Sequence, residues 1–329
     1  MTSNKEVISK HWAELLSLAE QNGVEVRYEA SVGGGIPLLS PLQYDLAANR
    51  IKGIYAIING TTNYILTRMA KEGIDFPTAL KQAQKLGYAE ADPRNDVEGI
   101  DATYKIAILA SLAFHTWVKP EQVHCEGISR LTSRDFQYAR ELGFAIKLLA
   151  ITKQEEDQVE VRVHPVLIPE DSLLAKVDGV YNAILVEGDL VDKVLFYGQG
   201  AGGMPTSSAV VADILSISTD IVRGARARPR KELDSGKVLK PMSQLITRYY
   251  LRMSTADRPG VLAQIARVLG DHQISISSVI QKMADTATQT AEIVIMTHPS
   301  PEKGMQDALD KVAHLPVVNE IGNFIRVEY

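Results

Sequence analysis

The sequence predicts an α+β protein in two units, a mixed β-sheet covered by helices and then a ferredoxin-like βαββαβ unit. Strand-like segments that alternate apolar and polar residues, such as residues 159–168, are mixed with helical segments in the first unit. Residues 223–247 are basic, contain two prolines and show no sustained apolar period, which indicates a linker. Residues 248–329 repeat strand and helix patterns in the order βαββαβ.

The N-terminal segment begins with a helical pattern. Residues 8–22 place Trp12 and Leu15 at helical spacing, and Gly23 ends the predicted helix. Residues 24–30 alternate like a strand. A helix followed by a strand, with no strand before the helix, is typical of a sequence that starts partway through a fold.

Several further elements are expected in the first unit. They are a strand over residues 51–59, helices over 61–73, 77–87 and 96–115, strands over most of 142–200, and a helix over 206–222. We expect Thr61 or Thr62 to cap the first of these helices. Pro77 near the start and Gly87 after the end delimit the second.

Composition excludes several classes of protein. A length of 329 residues allows about two domains, and a net charge of −5 gives no basic field for nucleic acid. No apolar run reaches the roughly 20 residues that a membrane helix needs, and the start lacks the apolar segment of a signal peptide. The single cysteine, Cys125, excludes a disulfide framework and fits a reducing cytoplasm.

The second unit contains a distinctive turn before its first helix. Pro259 fixes φ, and Gly260 lets backbone N–H groups approach a ligand or a partner chain. With the strand rich in Ile and Ser that follows, this turn resembles those of ACT domains. The resemblance implies binding of an amino-acid effector such as threonine at Asp257 and Gly260. A turn that merely starts a helix is the alternative.

The first unit carries a cluster of carboxylates close to a lysine. Asp101 and Lys105 are four residues apart and therefore share one face of the predicted helix, and Asp96 precedes them. Such a cluster can bind an ammonium group while the lysine donates a proton. An exposed helix with ordinary ion pairs, worth about 0.3–0.5 kcal/mol each, is the alternative that the spacing leaves open.

Five segments together resemble the catalytic region of homoserine dehydrogenases. They are TSNKE, YEASVGGGIP, NGTTNYIL, GYAEADPRNDVEGIDATYKIAIL and GQGAGGMPTSSAVVADI, and they span nearly all of residues 2–222. The long GYAEADP segment is the most specific. The resemblance implies NAD(P)-dependent interconversion of L-homoserine and L-aspartate 4-semialdehyde, in the biosynthesis of threonine, methionine and isoleucine.

The resemblance also implies roles for individual residues. Lys105 is the expected general acid and base, and Lys5 is expected near both substrate and nicotinamide. The expected substrate-binding residues are Glu90, Asp101, Asp96, Thr61, Gly87 and Tyr88. Gly200 and Gly202 are expected to contact the cofactor from the catalytic side.

A monovalent cation, sodium, is implied at the glycine-rich segment that follows Glu29. Its ligands would be the Glu29 side chain and the carbonyl groups of Val32, Gly34 and Ile36, because hard oxygen ligands suit a hard cation. A tight turn without an ion is the alternative.

The same resemblance suggests that a nucleotide-binding domain is absent. Homoserine dehydrogenases begin with a strand, a G-x-G-x-x-G turn and a helix, which bind the pyrophosphate, and this sequence starts after them. The predicted organisation is a remnant of that domain over residues 1–30, a catalytic and dimerisation domain over 31–222, the linker over 223–247 and the ACT domain over 248–329.

Two expectations about activity and assembly follow from this organisation. We expect weak NAD(P) binding and slow turnover, with the choice between NAD and NADP left open. The alternative is a catalytically inactive, truncated paralogue that acts as an amino-acid-binding ACT protein. A homodimer or homotetramer is expected, without nucleic-acid or membrane partners.

Overall fold

Helices and strands alternate along the chain in the computed structural model, which describes residues 1–224, 236–285 and 289–328. The helices are α1 (Lys5–Lys10), α2 (Trp12–Gln21), α3 (Gly60–Glu72), α4 (Phe76–Lys85), α5 (Arg94–Val97), α6 (Ile100–Phe114), α7 (Ser133–Glu141), α8 (Gly203–Val222), α9 (Val261–Asp271) and α10 (Glu302–Ala313). The strands are β1 (Ile51–Ile57), β2 (His124–Cys125), β3 (Phe144–Glu155), β4 (Gln158–Pro169), β5 (Tyr181–Gly188), β6 (Lys193–Gln199), β7 (Val238–Leu239), β8 (Ile246–Ala256), β9 (Ile276–Asp285), β10 (Thr290–Thr297), β11 (Ser300–Pro301) and β12 (Val318–Val327).

Strands of both units join in one mixed sheet. The order is β6-β5-β1-β3-β4-β12-β8-β10-β9, with β2 and β7 paired to β4 and β11 paired to β8. Most neighbours are antiparallel, but β4 pairs in parallel with β2, β7 and β12. The predicted mixed sheet is therefore confirmed. Its two halves meet where Arg326 and Val327 of β12 lie opposite Val166 and Leu167 of β4.

The central strands are apolar on both faces, which explains their position inside the sheet. In β3, Ile146 and Leu148 face the main core, which α3 and α6 help to form, whereas Leu149 and Ile151 face a smaller core on the opposite side. This alternation is the period of two that a strand imposes on its side chains. The strand predicted over residues 159–168 is present as β4.

The N-terminal segment differs from the prediction. The helix expected over residues 8–22 is two helices, α1 and α2, and its Leu15 is half-buried against the main core. The strand predicted over residues 24–30 is wrong, because no strand forms there: the Arg27 carbonyl group accepts a hydrogen bond from the Thr2 N–H group at 3.0 Å, and the segment ends in a 3-10 turn. Burial does not follow the alternation of the sequence, because Val24 is exposed whereas Arg27 and Tyr28 are both buried.

Two helix boundaries also differ from expectation. Asn59, rather than Thr61 or Thr62, caps α3, since its side chain accepts a hydrogen bond from the Thr62 N–H group. The helix expected over residues 96–115 is interrupted at Gly99, whose φ is +79°. A Cβ atom at this position would lie 3.0 Å from the Cys125 Sγ atom, so glycine lets strand β2 pack against the break.

The βαββαβ unit is present as predicted, from β8 to β12. Part of the predicted linker lies outside the described residues, at 225–235. Its later part is not free of structure, because β7 pairs with β4 and residues Met242–Gln244 form a 3-10 turn. In the described ranges, no helix has the length and apolar character needed to span a membrane.

Buried charges join helix α7 to the βαββαβ unit. Asp135 is fully buried and accepts hydrogen bonds from Arg252 Nε at 2.7 Å and from Asn323 Nδ2 at 2.9 Å. It also accepts from the Tyr250 hydroxyl group at 3.3 Å. One carboxylate therefore contacts two strands of the second unit.

We expect Asp135→Asn to lower the free energy of unfolding by about 3 kcal/mol, because it leaves the buried Arg252 guanidinium without its charged partner on α7. The amide keeps the shape of the side chain and can keep the acceptor that caps α7, but its NH₂ group then faces the donors of Arg252 and Tyr250, so the loss combines the missing charge with the missing acceptor. Glu141→Gln is the matched control. Glu141 pairs with Lys282 across the same interface at 2.6 Å but is exposed, so a loss of at most about 1 kcal/mol is expected. Equal losses in urea unfolding would contradict the prediction.

Candidate active site

The centre of the candidate site is a buried carboxylate held between two lysines. Asp101, on the first turn of α6, is 7% exposed. Its Oδ1 atom lies 2.8 Å from the Lys5 Nζ atom, and its Oδ2 atom lies 2.6 Å from the Lys105 Nζ atom. The predicted pair on one helix face is therefore buried and joined by the lysine from α1, unlike an ordinary exposed ion pair.

The Lys105 side chain is fixed by two acceptors. Besides Asp101, its Nζ atom donates to the Ile58 carbonyl group at 2.8 Å, and the side chain is only 12% exposed. Ile58 directly follows β1, where the chain turns toward α3. An ammonium group has three N–H donors, so one remains for another partner. Lys5, in contrast, is 42% exposed.

A second carboxylate lies beside the first. Asp96 is half-buried on α5, and its Oδ1 atom accepts a hydrogen bond from Asn59 Nδ2 at 2.7 Å. The same Nδ2 atom donates to the Asp101 Oδ2 atom at 3.0 Å. Asn59 therefore connects α3 to both acidic residues of the following segment.

The environment moves the pKa values of these groups in different directions. Burial would raise the pKa of Asp101, but the charges of Lys105 and Lys5 outweigh it and lower that pKa to about 2. Burial would lower the pKa of Lys5, yet the Asp101 charge raises it. Burial raises the pKa of Asp96 against the opposing hydrogen bond from Asn59.

The other residues predicted to bind substrate lie on the loop after α4 and at the start of α3. The Thr61 hydroxyl group donates to the Tyr88 carbonyl group at 2.6 Å, which ties this loop to α3. Gly87 follows α4 with a φ of +76°, as predicted for its C-terminal end. Glu90 is exposed, and within the described chain neither Glu90 nor Gly87 has a hydrogen bond to the two lysines or to Asp101.

Two glycine-rich loops pack against each other. A Cβ atom on Gly34 would overlap the carbonyl group of Gly200, and one on Gly35 would lie 2.7 Å from Pro205. Gly200 in turn packs against the buried side chain of Asn182, whose Oδ1 atom has no hydrogen-bond partner in the described chain. The loops predicted to hold the cation and to contact the cofactor are therefore direct neighbours. Gly202 ends the second loop as the residue before α8.

We expect Gly34→Ala to lower the free energy of unfolding by about 3 kcal/mol or more, because the new methyl group forces the two loops apart. Gly33→Ala is the control. Gly33 also has a left-handed backbone, but the nearest atom to an added Cβ is at 3.5 Å, so only the backbone strain of about 1–2 kcal/mol is expected. Urea unfolding of both variants measures the difference, and equal losses would show that the loop contact contributes nothing.

Glu29 makes contacts that the sequence did not indicate. Its carboxylate accepts hydrogen bonds from the backbone N–H groups of Leu38, Leu39 and Ser40 at 2.6 to 2.8 Å. Burial nevertheless raises its pKa. Among the described residues, no cluster of three or more His, Cys, Asp or Glu side chains could hold a metal ion. The cation site, which also needs the carbonyl groups of Val32, Gly34 and Ile36, stays a prediction.

The predicted effector turn is exposed. Gly260 has a φ of +87° and precedes α9, as the sequence suggested. The Asp257 N–H group donates to the Gln289 carbonyl group at 2.9 Å, and Asp257 itself is exposed.

Sequence reasoning missed two groups of this site, the Asn59 amide and the Ile58 carbonyl group. Asn59 could have been found, because asparagine is a preferred N-cap and Thr62 follows it at the spacing of a capping interaction. The Ile58 carbonyl group carries no side-chain signal.

Comparison with known protein families identifies both units. A model of the homoserine dehydrogenase family matches residues 37–215, and a model of the ACT domain matches residues 249–316. Each matched range lies inside one of the predicted units.

Individual relatives match most or all of the chain. The homoserine dehydrogenase of Neisseria gonorrhoeae is 46% identical over 100% of this chain and 76% of its own length. The crystal structure of a homoserine dehydrogenase from Thiobacillus denitrificans is 44% identical, with a TM-score of 0.93 over 99% of this chain and 75% of that chain. A hyperthermophilic archaeal homoserine dehydrogenase in complex with NADPH is 31% identical, with a TM-score of 0.59 over 71% of this chain and 65% of that one.

These matches correct one expectation. Relatives match this chain along its full length, so the predicted absence of a nucleotide-binding domain is not borne out. The domain boundaries assigned from the sequence stay predictions.

Proposed function

The chain belongs to the homoserine dehydrogenase family, and from this premise we propose how its own residues carry out the reaction. Homoserine dehydrogenases are oxidoreductases that interconvert L-homoserine and L-aspartate 4-semialdehyde with NAD(P). The observation that supports the proposal is the burial of Asp101 between Lys5 and Lys105. This intact centre does not favour the alternative of a catalytically inactive paralogue.

Lys105 is the group that moves the proton. During reduction its ammonium group donates a proton to the aldehyde oxygen, where negative charge develops, and during oxidation the neutral amine accepts the hydroxyl proton of homoserine. In both protonation states two N–H bonds remain for the Ile58 carbonyl group and Asp101. Proton transfer therefore uses the third position of Nζ and leaves the anchoring of the side chain unchanged.

The two carboxylates have different roles in this proposal, since Asp101 orients the lysines and Asp96 binds the substrate. Asp101 accepts hydrogen bonds from both lysines and from Asn59, so its oxygens orient these groups. Asp96 has an Oδ2 atom beyond its bond to Asn59, which suits the ammonium group of homoserine. Glu90, Thr61, Gly87 and Tyr88 complete the substrate pocket in this proposal, with Glu90 the most exposed contributor of charge.

The residues at the start of α8 fit a nicotinamide cofactor. Gly202, Gly203 and Met204 are exposed, and no side chain in the described chain caps the helix. Free N–H groups and the positive end of the helix dipole suit phosphate or amide oxygens. NAD(P), when bound, supplies or accepts the hydride. Lys5 and Gly200 are the further residues proposed to contact it, and the choice between NAD and NADP is not assigned.

A monovalent cation fits the all-oxygen set around Glu29. The Glu29 Oε2 atom accepts one N–H group, from Ser40, whereas Oε1 accepts two, so Oε2 retains an acceptor position for an ion. Sodium is the proposed ion because hard oxygen donors suit it.

The ACT domain adds regulation to this proposal. We expect it to bind an amino acid, threonine first among the candidates, at the turn of Asp257 and Gly260. We propose that the reaction serves the biosynthesis of threonine, methionine and isoleucine. A homodimer or homotetramer stays the expected assembly.

An assay of L-homoserine oxidation tests the proposed function. The near-ultraviolet absorbance of NAD(P)H measures its formation from NAD⁺ or NADP⁺. We expect the chain to oxidise L-homoserine much faster than L-serine, whose hydroxyl group lies one carbon closer to the ammonium group. Calorimetry with L-homoserine measures binding independently of turnover. If the chain neither oxidises nor binds L-homoserine, the proposal is overturned.

A further inference from the structure

Asn59 lies beneath both carboxylates of the site and uses its whole amide group. It is 6% exposed, and its Nδ2 atom donates to Asp96 Oδ1 at 2.7 Å and to Asp101 Oδ2 at 3.0 Å. Its Oδ1 atom accepts from the Thr62 N–H group at 2.8 Å. One acceptor and two donors are therefore all engaged.

The orientation of this amide is fixed by its partners. A flipped amide would place its carbonyl oxygen against two carboxylates and its NH₂ group against the Thr62 N–H group. Both arrangements would oppose like groups. The helix cap thus forces the two N–H bonds of Asn59 toward Asp96 and Asp101.

The two carboxylates differ in how their charge is balanced. Asp101 contacts both lysines, whereas in the described chain the hydrogen bond to the Asp96 side chain comes from Asn59. Asp96 is also close to the like charge of Asp101, with Lys105 and Lys5 as the cations that face it from α6 and α1. Without a donor at Asn59, burial and the Asp101 charge would favour the protonated form of Asp96.

We propose that Asn59 is a positioning residue that keeps Asp96 ionised and aimed at the substrate ammonium group while Asp101 stays engaged with the lysines. This inference rests on the proposed roles of Asp96 and Asp101. Asn59 therefore has two roles in this proposal: it caps α3, and it increases the affinity of the site for homoserine.

Asn59→Ser separates the two tasks. Serine caps a helix about as well as asparagine, but its hydroxyl group cannot donate to both carboxylates. We expect KM for L-homoserine to rise roughly ten- to a hundredfold, the range for a lost hydrogen bond to a charged group, with a smaller change in kcat. Ionised Asp96 is required, so a higher pKa moves the acid limb of kcat/KM to higher pH.

Asn63→Ser is the matched control on the same helix. Asn63 is also buried, and its Nδ2 atom donates to the carbonyl groups of Val177, Gly179 and Tyr181, outside the site. We expect this variant to lose stability but to keep the KM and the acid limb of the unchanged chain. Thermal unfolding of both variants separates folding from positioning.

The outcomes distinguish this inference from the function on which it rests. If the unchanged chain does not turn over, calorimetric binding of L-homoserine across the acid range replaces the kinetic profile. If Asn59→Ser does not fold, Asn59→Thr supplies another capping hydroxyl group without adding a charge, and the same rise in KM or Kd is expected. An unchanged KM and acid limb in Asn59→Ser, or an equal shift in Asn63→Ser, would overturn the inference.

Discussion

Lys105→Met is expected to lower kcat for homoserine oxidation about a thousandfold, within the 10²–10⁴ range that a general acid–base group contributes. Methionine keeps most of the length and the apolar stem of the side chain, so the loss reports the Nζ atom. The variant should still bind L-homoserine, because the proposed contacts of the ammonium group lie on Asp96. Steady-state kinetics and calorimetry measure the two effects separately.

Lys10→Met provides the control for Lys105→Met. Lys10 lies on α1, as Lys5 does, and forms an exposed ion pair with Glu6 at 2.7 Å. We expect no measurable change in kcat when it is replaced. A Lys105→Met variant that retains more than about a hundredth of the activity, a loss smaller than the lower limit for this role, would remove Lys105 from the proton transfer.

Asp101→Asn is expected to abolish most activity and to change the dependence of stability on pH. The folded-state pKa of Asp101 is about 2, below its ordinary value of 3.8. A depressed pKa contributes stability that is fully present above the unfolded value and is lost as pH falls through the folded value. The free energy of unfolding of the unchanged chain should therefore fall by about 2 kcal/mol between about pH 4 and pH 2. The variant lacks this contribution at every pH, so it should not show this fall.

Urea unfolding of both chains at neutral pH and through the acid range measures this difference. Asp92→Asn is the control, because Arg94 also lowers the pKa of Asp92 to about 2, but this pair is fully exposed. Its replacement should leave stability within the error of the measurement. Parallel pH profiles for the unchanged chain and Asp101→Asn would contradict the buried role of this carboxylate.

The sequence predicted the elements whose pattern is local. The alternation that defines β4 and the helical spacing of Asp101 and Lys105 both depend on residues within a few positions, and the structure has both. The resemblance to a family added Lys5, which no spacing connects to Asp101. The segment over residues 24–30 shows the limit of this reasoning, since its sequence alternates but Val24 is exposed, Arg27 and Tyr28 are both buried, and no strand forms.

The parts that sequence reasoning missed depend on distant segments that meet in the fold. Asn59 acts on Asp96 and Asp101 only because the start of α3 lies against α5 and α6. The break at Gly99 depends on the approach of β2. The sequence of β12 did not predict that both units share one sheet. Its apolar pattern is explained by packing within the βαββαβ unit and gives no sign of the pairing with β4.

The pairing of β4 with β12 has a consequence for the synthesis of the chain. Among the described strands β12 is the last to be synthesised. Val166 and Leu167 of β4 therefore remain unpaired with β12 after the rest of the first unit has left the ribosome. Within the part of the chain that the structure describes, the short strands β2 and β7 pair with this side of β4 earlier, at other positions. An open apolar edge is a template for pairing with other chains. In a nascent chain this edge of β4 is therefore open to pairing with other chains until β12 covers it.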